Sequence, residues 1–277
     1  MLKIGQYNTL TITRFTDHGA YLDAGKELGD ILLPKQYVKP EMRPGTEVEV
    51  IVYLDQQDRL VATTEQALAC VGDFAHLRVA WVNEYGAFLD WGLMKDLFVP
   101  FREQKMKMQK GHRYVIHAHV DEDSYRIMAS AKVERYLSKE MPSYQPGEEV
   151  EVMVWQRTDL GYKVIVDNKF GGLVYQKEIF KALEPGMKMS AYIRQVREDG
   201  KIDLTLQKDG LQKVGDFAEV LLQYIKDQGG HTSLNDKSAA EDIYDTFAVS
   251  KKTFKKAVGD LYKKRLIILV EDGIRLA

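Results

Sequence analysis

The sequence predicts a mainly β chain of three tandem five-stranded barrels, finished by a smaller domain of helices and a hairpin. Three observations predict it. Gly5, Gly19 and Arg59 recur 67 positions later as Gly72, Gly86 and Arg126, and a further 75 positions on as Gly147, Gly161 and Lys201, so one unit is written three times. Asp17, Glu84 and Asp159 keep an acid two residues before the central Gly, and the first two copies share the phrases DHGAYLD and EYGAFLD. After LTLQKDG, strand alternation gives way to helical spacing.

Within the first unit, TLTIT (9–13), AYLD (20–23), DILLP (30–34), EVEVIVYL (47–54) and RLVAT (59–63) are short β-branched or alternating runs bounded by Gly, Pro or Asp, and each reads as a strand. RFTDHG and LDQQDR read as hairpin turns, while KQYVKPEMRPG is longer and has room for one helical turn. Five strands with the long connection after the third follow the order of an OB-fold barrel. The charged, Pro-containing stretch before the third unit has the composition of a linker. Beyond it, DFAEVLLQYIKDQGG, SAAEDIYDTF and KKTFKKAVGDLYKKR read as helices, the last with Ser250 as N-cap, and LIILV-EDG-IRL as a hairpin. Three helices and a hairpin describe a winged helix-turn-helix. The expected domains are 1–66, 67–135, a linker at 136–145, a divergent third barrel at 146–208, and the winged helix at 211–277.

Composition narrows the function classes. With 45% hydrophobic and 29% charged residues the chain reads as ordered globular protein, and with a formal net charge of −2 any polyanion must be met by local basic surface. The N-terminus shows no secretory pattern and no run is long and apolar enough to span a membrane, so the expected location is cytoplasmic. Cys70 stands alone, which excludes an intrachain disulfide and a cysteine-based zinc site. His112, His117 and His119 lack metal-ligand spacing, and DEDS (121–124) reads as a hairpin turn, so no metal is expected. Neither a phosphate-binding G-x-x-x-x-G-K loop nor a G-x-S-x-G elbow occurs, so neither an enzyme nor a cofactor is predicted.

The phrase G-[AV]-[FY]-[VL] after a strand, a fourth strand led by Pro or Gly, and a closing [RK]-[IL]-x-[LA]-[ST] resemble the S1 RNA-binding domain. Three such units followed by SKKTFKKAVGDLYKK resemble the bacterial conserved virulence factor B family. The resemblance implies a noncatalytic RNA-binding protein that regulates gene expression after transcription, virulence factors included. Carried over by position, it implies RNA contacts from His18, Tyr21, Asp55 and Arg59 in the first unit and from Tyr85, Phe88, Glu122 and Arg126 in the second. Where many S1 domains place a His on the third strand, DILLP has none and DLFVP offers Phe98. The third unit departs further, with Leu160 and Lys163 at ring positions and Arg197 in place of the acid.

The residues support single-stranded RNA as partner, because splayed bases stack on exposed rings and a guanidinium beside them meets phosphate. Alternation directs Leu22 and Leu89 inward, and so Tyr21 and Phe88 outward. Lys105, Lys107 and Lys110, with Arg102 and Arg113, make the loop at 101–113 a candidate phosphate contact. In the last domain Phe254, Ala257, Val258 and Leu261 form an apolar stripe, leaving Lys251, Lys252, Lys255, Lys256, Lys263 and Lys264 as a basic patch for duplex or single-stranded nucleic acid. Two rival readings stand beside this one, a DNA-binding transcription factor acting through the winged helix and a nuclease-associated subunit.

Overall fold

The computed structural model describes every residue except 1, 177, 178, 180, 181, 207–213 and 248, and only the backbone of 214–216. The boundary expected between 208 and 211 therefore lies outside the described residues. The chain divides into two units, 1–137 and 138–277.

The first unit holds two barrels of one design. Strands β1 (Tyr7–Thr16), β2 (Gly19–Asp23), β3 (Asp30–Pro34), β4 (Glu47–Leu54) and β5 (Leu60–Thr63) close in the order β1-β2-β3-β5-β4. β6 (Phe74–Val82), β7 (Gly86–Asp90), β8 (Leu97–Pro100), β9 (Arg113–Val120) and β10 (Ile127–Ser130) repeat that order. In each barrel the third and fifth strands run parallel and the other ladders are antiparallel, the OB arrangement. The single 3-10 turn at Lys35–Tyr37 fills the long connection, as its length predicted.

Alternation explains the core. Val48, Val50 and Val52 of β4 point into the first barrel beside Leu22 and Leu33, and each such side chain stabilises the fold by about 1.5–3 kcal/mol. Ile51, Tyr53 and Val61, on the opposite face, are buried as well, because that face packs into one apolar cluster with Leu89, Trp91, Leu93 and Leu97 of the second barrel. The two barrels thus share a core.

The glycines that recur in each unit have a steric reason. A Cβ on Gly19 would lie 2.1 Å from the Leu33 carbonyl oxygen, and one on Gly86 2.3 Å from that of Val99, so the third strand could not approach the second. The repeated Gly therefore serves strand pairing as much as the turn.

In the second unit β11 (Glu149–Thr158), β12 (Gly161–Val166), β13 (Phe170–Tyr175), β14 (Lys188–Val196) and β15 (Ile202–Thr205) close the third barrel in the same order. The winged helix follows as α1 (Val214–Asp227), β16 (His231–Thr232), α2 (Ala240–Phe247), α3 (Lys251–Lys263), β17 (Ile267–Val270) and β18 (Gly273–Leu276). Ser250 caps α3, its hydroxyl accepting from the Thr253 N–H at 3.1 Å. Phe254, Ala257, Val258 and Leu261 are buried against Phe217, Leu221 and Ile225, as the stripe predicted. β16 pairs with β18 and makes a three-stranded wing, a two-residue strand too short to show in the sequence pattern. No described helix is long and apolar enough to cross a membrane.

Candidate nucleic-acid interface

Each barrel carries a β-bulge at the same point of its first strand, between Ile12 and Arg14, between Val79 and Trp81, and between Val154 and Gln156. The extra residue reverses the alternation, so after an inward-facing aliphatic the bulge turns the next paired side chain outward. One row of side chains then crosses four strands of every barrel. In the second it runs Trp81, Phe88, Phe98, Met128. The first has Arg14, Tyr21, Leu32 and Val61, and the third Gln156, Lys163, Leu173 and Asp203.

Alternation placed Tyr21 and Phe88 correctly, since Leu22 and Leu89 are fully buried and both rings lie on the outer face. Neither ring is open on both sides, and here the sequence-based picture is corrected. The Trp81 indole lies flat on Phe88, with centroids 3.7 Å apart and planes 2° from parallel, and Phe98 sits 4.8 Å away on the next strand. The Arg14 guanidinium stands 3.7 Å over the Tyr21 ring. The groups that present a free face are therefore Trp81, 42% exposed, and Tyr85, 66% exposed at the tip of the preceding turn. Asp96 accepts from the Trp81 Nε1–H at 2.7 Å and fixes the indole plane. The Asn83 side chain accepts from the Tyr85 N–H at 2.9 Å and shapes the turn that carries it. His18 occupies the matching turn of the first barrel, exposed, with its N–H on the Thr16 hydroxyl at 3.3 Å.

The charged pairs divide. Asp55 accepts from the Arg59 backbone N–H and from its guanidinium Nε and Nη2 at 2.9 and 2.7 Å, and these bonds, the backbone one foremost, hold its carboxyl below the usual range. The expected counterpart, Glu122 with Arg126, does not form. The second hairpin is one residue longer, because Leu54 pairs with Leu60 but Val120 pairs with Ile127, so Asp121 rather than Glu122 takes the place of Asp55. Asp121 is bound by Ser124 and Arg102, and Glu122 is exposed in the turn. Arg126 instead grips Asp58 of the first barrel through three hydrogen bonds of 2.7 to 3.0 Å.

Beside the aromatic row lies a cleft of about 610 Å³, walled on one side by Trp81, Tyr85 and Phe98 and on the other by Tyr53, Leu54 and Gln56. Lys95 crosses its rim to the Leu54 carbonyl at 2.9 Å, and burial, with Arg126 nearby, draws its pKa below the ordinary lysine value.

The basic loop is partly self-neutralised. Gln104, buried, pins it to the Val99 carbonyl and the Met108 N–H, both at 2.9 Å. Lys105 pairs with Glu134 at 2.7 Å, Lys107 lies 5.9 Å from the Phe101 ring, and Lys110 is exposed. On α3, Lys251 donates to the Ser238 carbonyl at 2.7 Å and Lys264 pairs with Asp260 at 2.8 Å, so the patch is smaller than the sequence suggested. Lys252, Lys255, Lys256 and Lys263 are exposed without an ion pair among the described residues. His117 and His119 are enclosed by Tyr136, whose ring stacks on His117 at 4.2 Å, and among the described residues no group of three ligands suits a metal.

In the third barrel the Asp203 end of the row is tied up internally. Arg197 donates to Asp203 at 2.5 Å and to the Tyr175 hydroxyl at 2.5 Å, and Gln195 donates to Asp203 at 2.7 Å. Burial raises the Asp203 pKa, but these donors outweigh it and hold the carboxyl below its usual value. The Lys163 amine sits 5.1 Å over Trp155.

Residues 4–65 match the S1 domain family, and residues 219–276 match the CvfB-like winged helix domain. The chain is 28% identical to Uncharacterized protein YitL of Bacillus subtilis over 95% of its own length and 90% of that protein. It is 23% identical to Conserved virulence factor B of Staphylococcus aureus over 84% of this chain and 80% of the relative. A crystal structure of a multidomain protein with nucleic acid binding domains from Streptococcus pneumoniae covers 99% of the chain, at 26% identity and a TM-score of 0.43. The resemblance to the conserved virulence factor B family therefore holds at both ends of the chain, and both ends are nucleic-acid-binding domain types.

Proposed function

We propose that this chain, built from the S1 and winged-helix domains of the conserved virulence factor B family, binds single-stranded RNA without catalysis and regulates gene expression after transcription. The observation that supports this most is the aromatic row on the second barrel, where Trp81 and Tyr85 offer ring faces in a cleft that Arg126 also lines. Base stacking on such rings contributes about 1–3 kcal/mol per base and tolerates any sequence. The first barrel extends the track with Arg14 stacked on Tyr21, and with His18 and Arg59 exposed at its turns. The four open lysines of α3 add phosphate contacts, and linkage of weak modules raises their combined affinity.

A filter-binding titration with single-stranded RNA tests the reading. Trp81→Ala with Tyr85→Ala is expected to weaken binding by about tenfold or more, as stacking is removed. Binding equal to the parent at moderate salt contradicts it, and cleavage of labelled RNA in the presence of Mg²⁺ overturns the noncatalytic assignment.

A further inference from the structure

The cleft beside the aromatic row is not the work of the second barrel alone. Its far wall is the β4–β5 hairpin of the first, and that hairpin is fixed in place. Arg126 holds Asp58 through three hydrogen bonds, Lys95 reaches the Leu54 carbonyl, and Ile51 and Tyr53 behind the hairpin belong to the core shared with Trp91 and Leu93. A wall so anchored is preformed, which lowers the ordering cost of binding.

The polar groups around the cleft show what it suits. Asp96 is committed to the Trp81 indole, Lys95 to main-chain carbonyls and Arg126 to a carboxylate. With its cations matched in this way, the interior favours a flat neutral group over a phosphate. Gln56 differs, since its exposed amide makes no hydrogen bond among the described residues, and an amide offers a donor and an acceptor side by side. Every nucleobase presents an adjacent donor and acceptor on its Watson–Crick edge, the edge by which single-stranded RNA is read. At about 610 Å³ the cleft falls within the range of small-ligand pockets, roughly 300–1,000 Å³.

We propose that the first barrel's β4–β5 hairpin completes a nucleotide pocket on the second, in which one unpaired base of an RNA strand lies along Trp81 and Tyr85 while Gln56 reads its edge. This rests on the RNA-binding reading above, and the two fail separately. Gln56 is exposed on a turn, so Gln56→Ala leaves the fold intact. The full chain is titrated with a short, fluorescently labelled single-stranded oligoribonucleotide, and Gln56→Ala and Trp81→Ala are compared with the parent by anisotropy. The pocket predicts that Gln56→Ala weakens binding about three- to tenfold, the worth of a hydrogen bond to a base edge. If Gln56→Ala binds as the parent does while Trp81→Ala loses affinity, the stacking surface stands and the two-barrel pocket is wrong. If neither variant changes binding, the RNA-binding reading falls as well. Displacement of the oligoribonucleotide by free adenosine monophosphate at equal concentration would make this a small-molecule site and overturn the RNA assignment.

Discussion

The second and third barrels share strand order and bulge position, yet the same four-strand row is aromatic on one and polar on the other. Trp81, Phe88 and Phe98 stack in sequence and leave the indole facing outward. Their counterparts, Gln156, Lys163 and Leu173, end on Asp203, which is 3% exposed and bound by Arg197, Gln195 and Tyr175. The Arg197 guanidinium that would otherwise meet a phosphate is committed to Asp203 and Tyr175, and Lys163 covers Trp155. A repeated fold fixes where a binding row can be, while the side chains in that row decide whether its groups face a ligand or one another.

Substitutions separate the two barrels. The largest effect is expected from Arg197→Ala, which strands a buried carboxylate. Allowing for the partial exposure of Arg197, unfolding should become easier by about 2–3 kcal/mol, read by thermal or denaturant melts, with RNA affinity unchanged. A loss of affinity without a loss of stability would show the third barrel to be a binding surface. Next comes Trp81→Ala, which should cost about 1–3 kcal/mol in RNA affinity with little change in melting, the reverse pattern.

The third effect is on pH. Desolvation, with His119 beside it, lowers the His117 pKa from 6.5 to about 4. A base whose folded pKa is depressed favours the folded state when neutral, so this contribution is complete above about 6.5 and is lost as pH falls toward 4. Tyr192 holds the matching place in the third barrel, facing Glu149 as His117 faces Phe74. A pH-melting profile should therefore slope across that window in the parent and flatten in His117→Phe. The smallest effect belongs to α3. Replacing Lys252, Lys255, Lys256 and Lys263 by Ala should lower the log–log salt slope of RNA binding by about 0.7 for each phosphate no longer neutralised, leaving the stacking contribution in place.

Much of the fold is legible in the sequence because its signals are local and repeated. Gly19, Gly86 and Gly161 mark one turn in each barrel, and alternation puts Leu22 and Leu89 inside. The site is less legible. Counting by twos from the buried Val79 sends Trp81 inward, and only the bulge turns it out, so the ring with the free face is hidden from a period-two reading. Arg14 is concealed in the same way behind Ile12. A constant offset of 67 names Glu122 as the partner of Arg126, but the fourth strand repeats at 66, Leu54 matching Val120, and the added turn residue restores 67 only at the fifth, where Leu60 matches Ile127. The capture of Arg126 by Asp58 and the walling of the cleft by Gln56 depend on how two barrels meet, which strand patterning does not encode.

If the second barrel carries the RNA platform and the third does not, the difference should be visible in where RNA touches the chain. Crosslinking the full chain to single-stranded RNA, with each adduct mapped to its residue, tests this most directly. Adducts are expected at Trp81 and Tyr85, and none on the third barrel's row at Gln156, Lys163 and Leu173. Adducts confined to that row, with Trp81 and Tyr85 unmodified, would contradict the assignment.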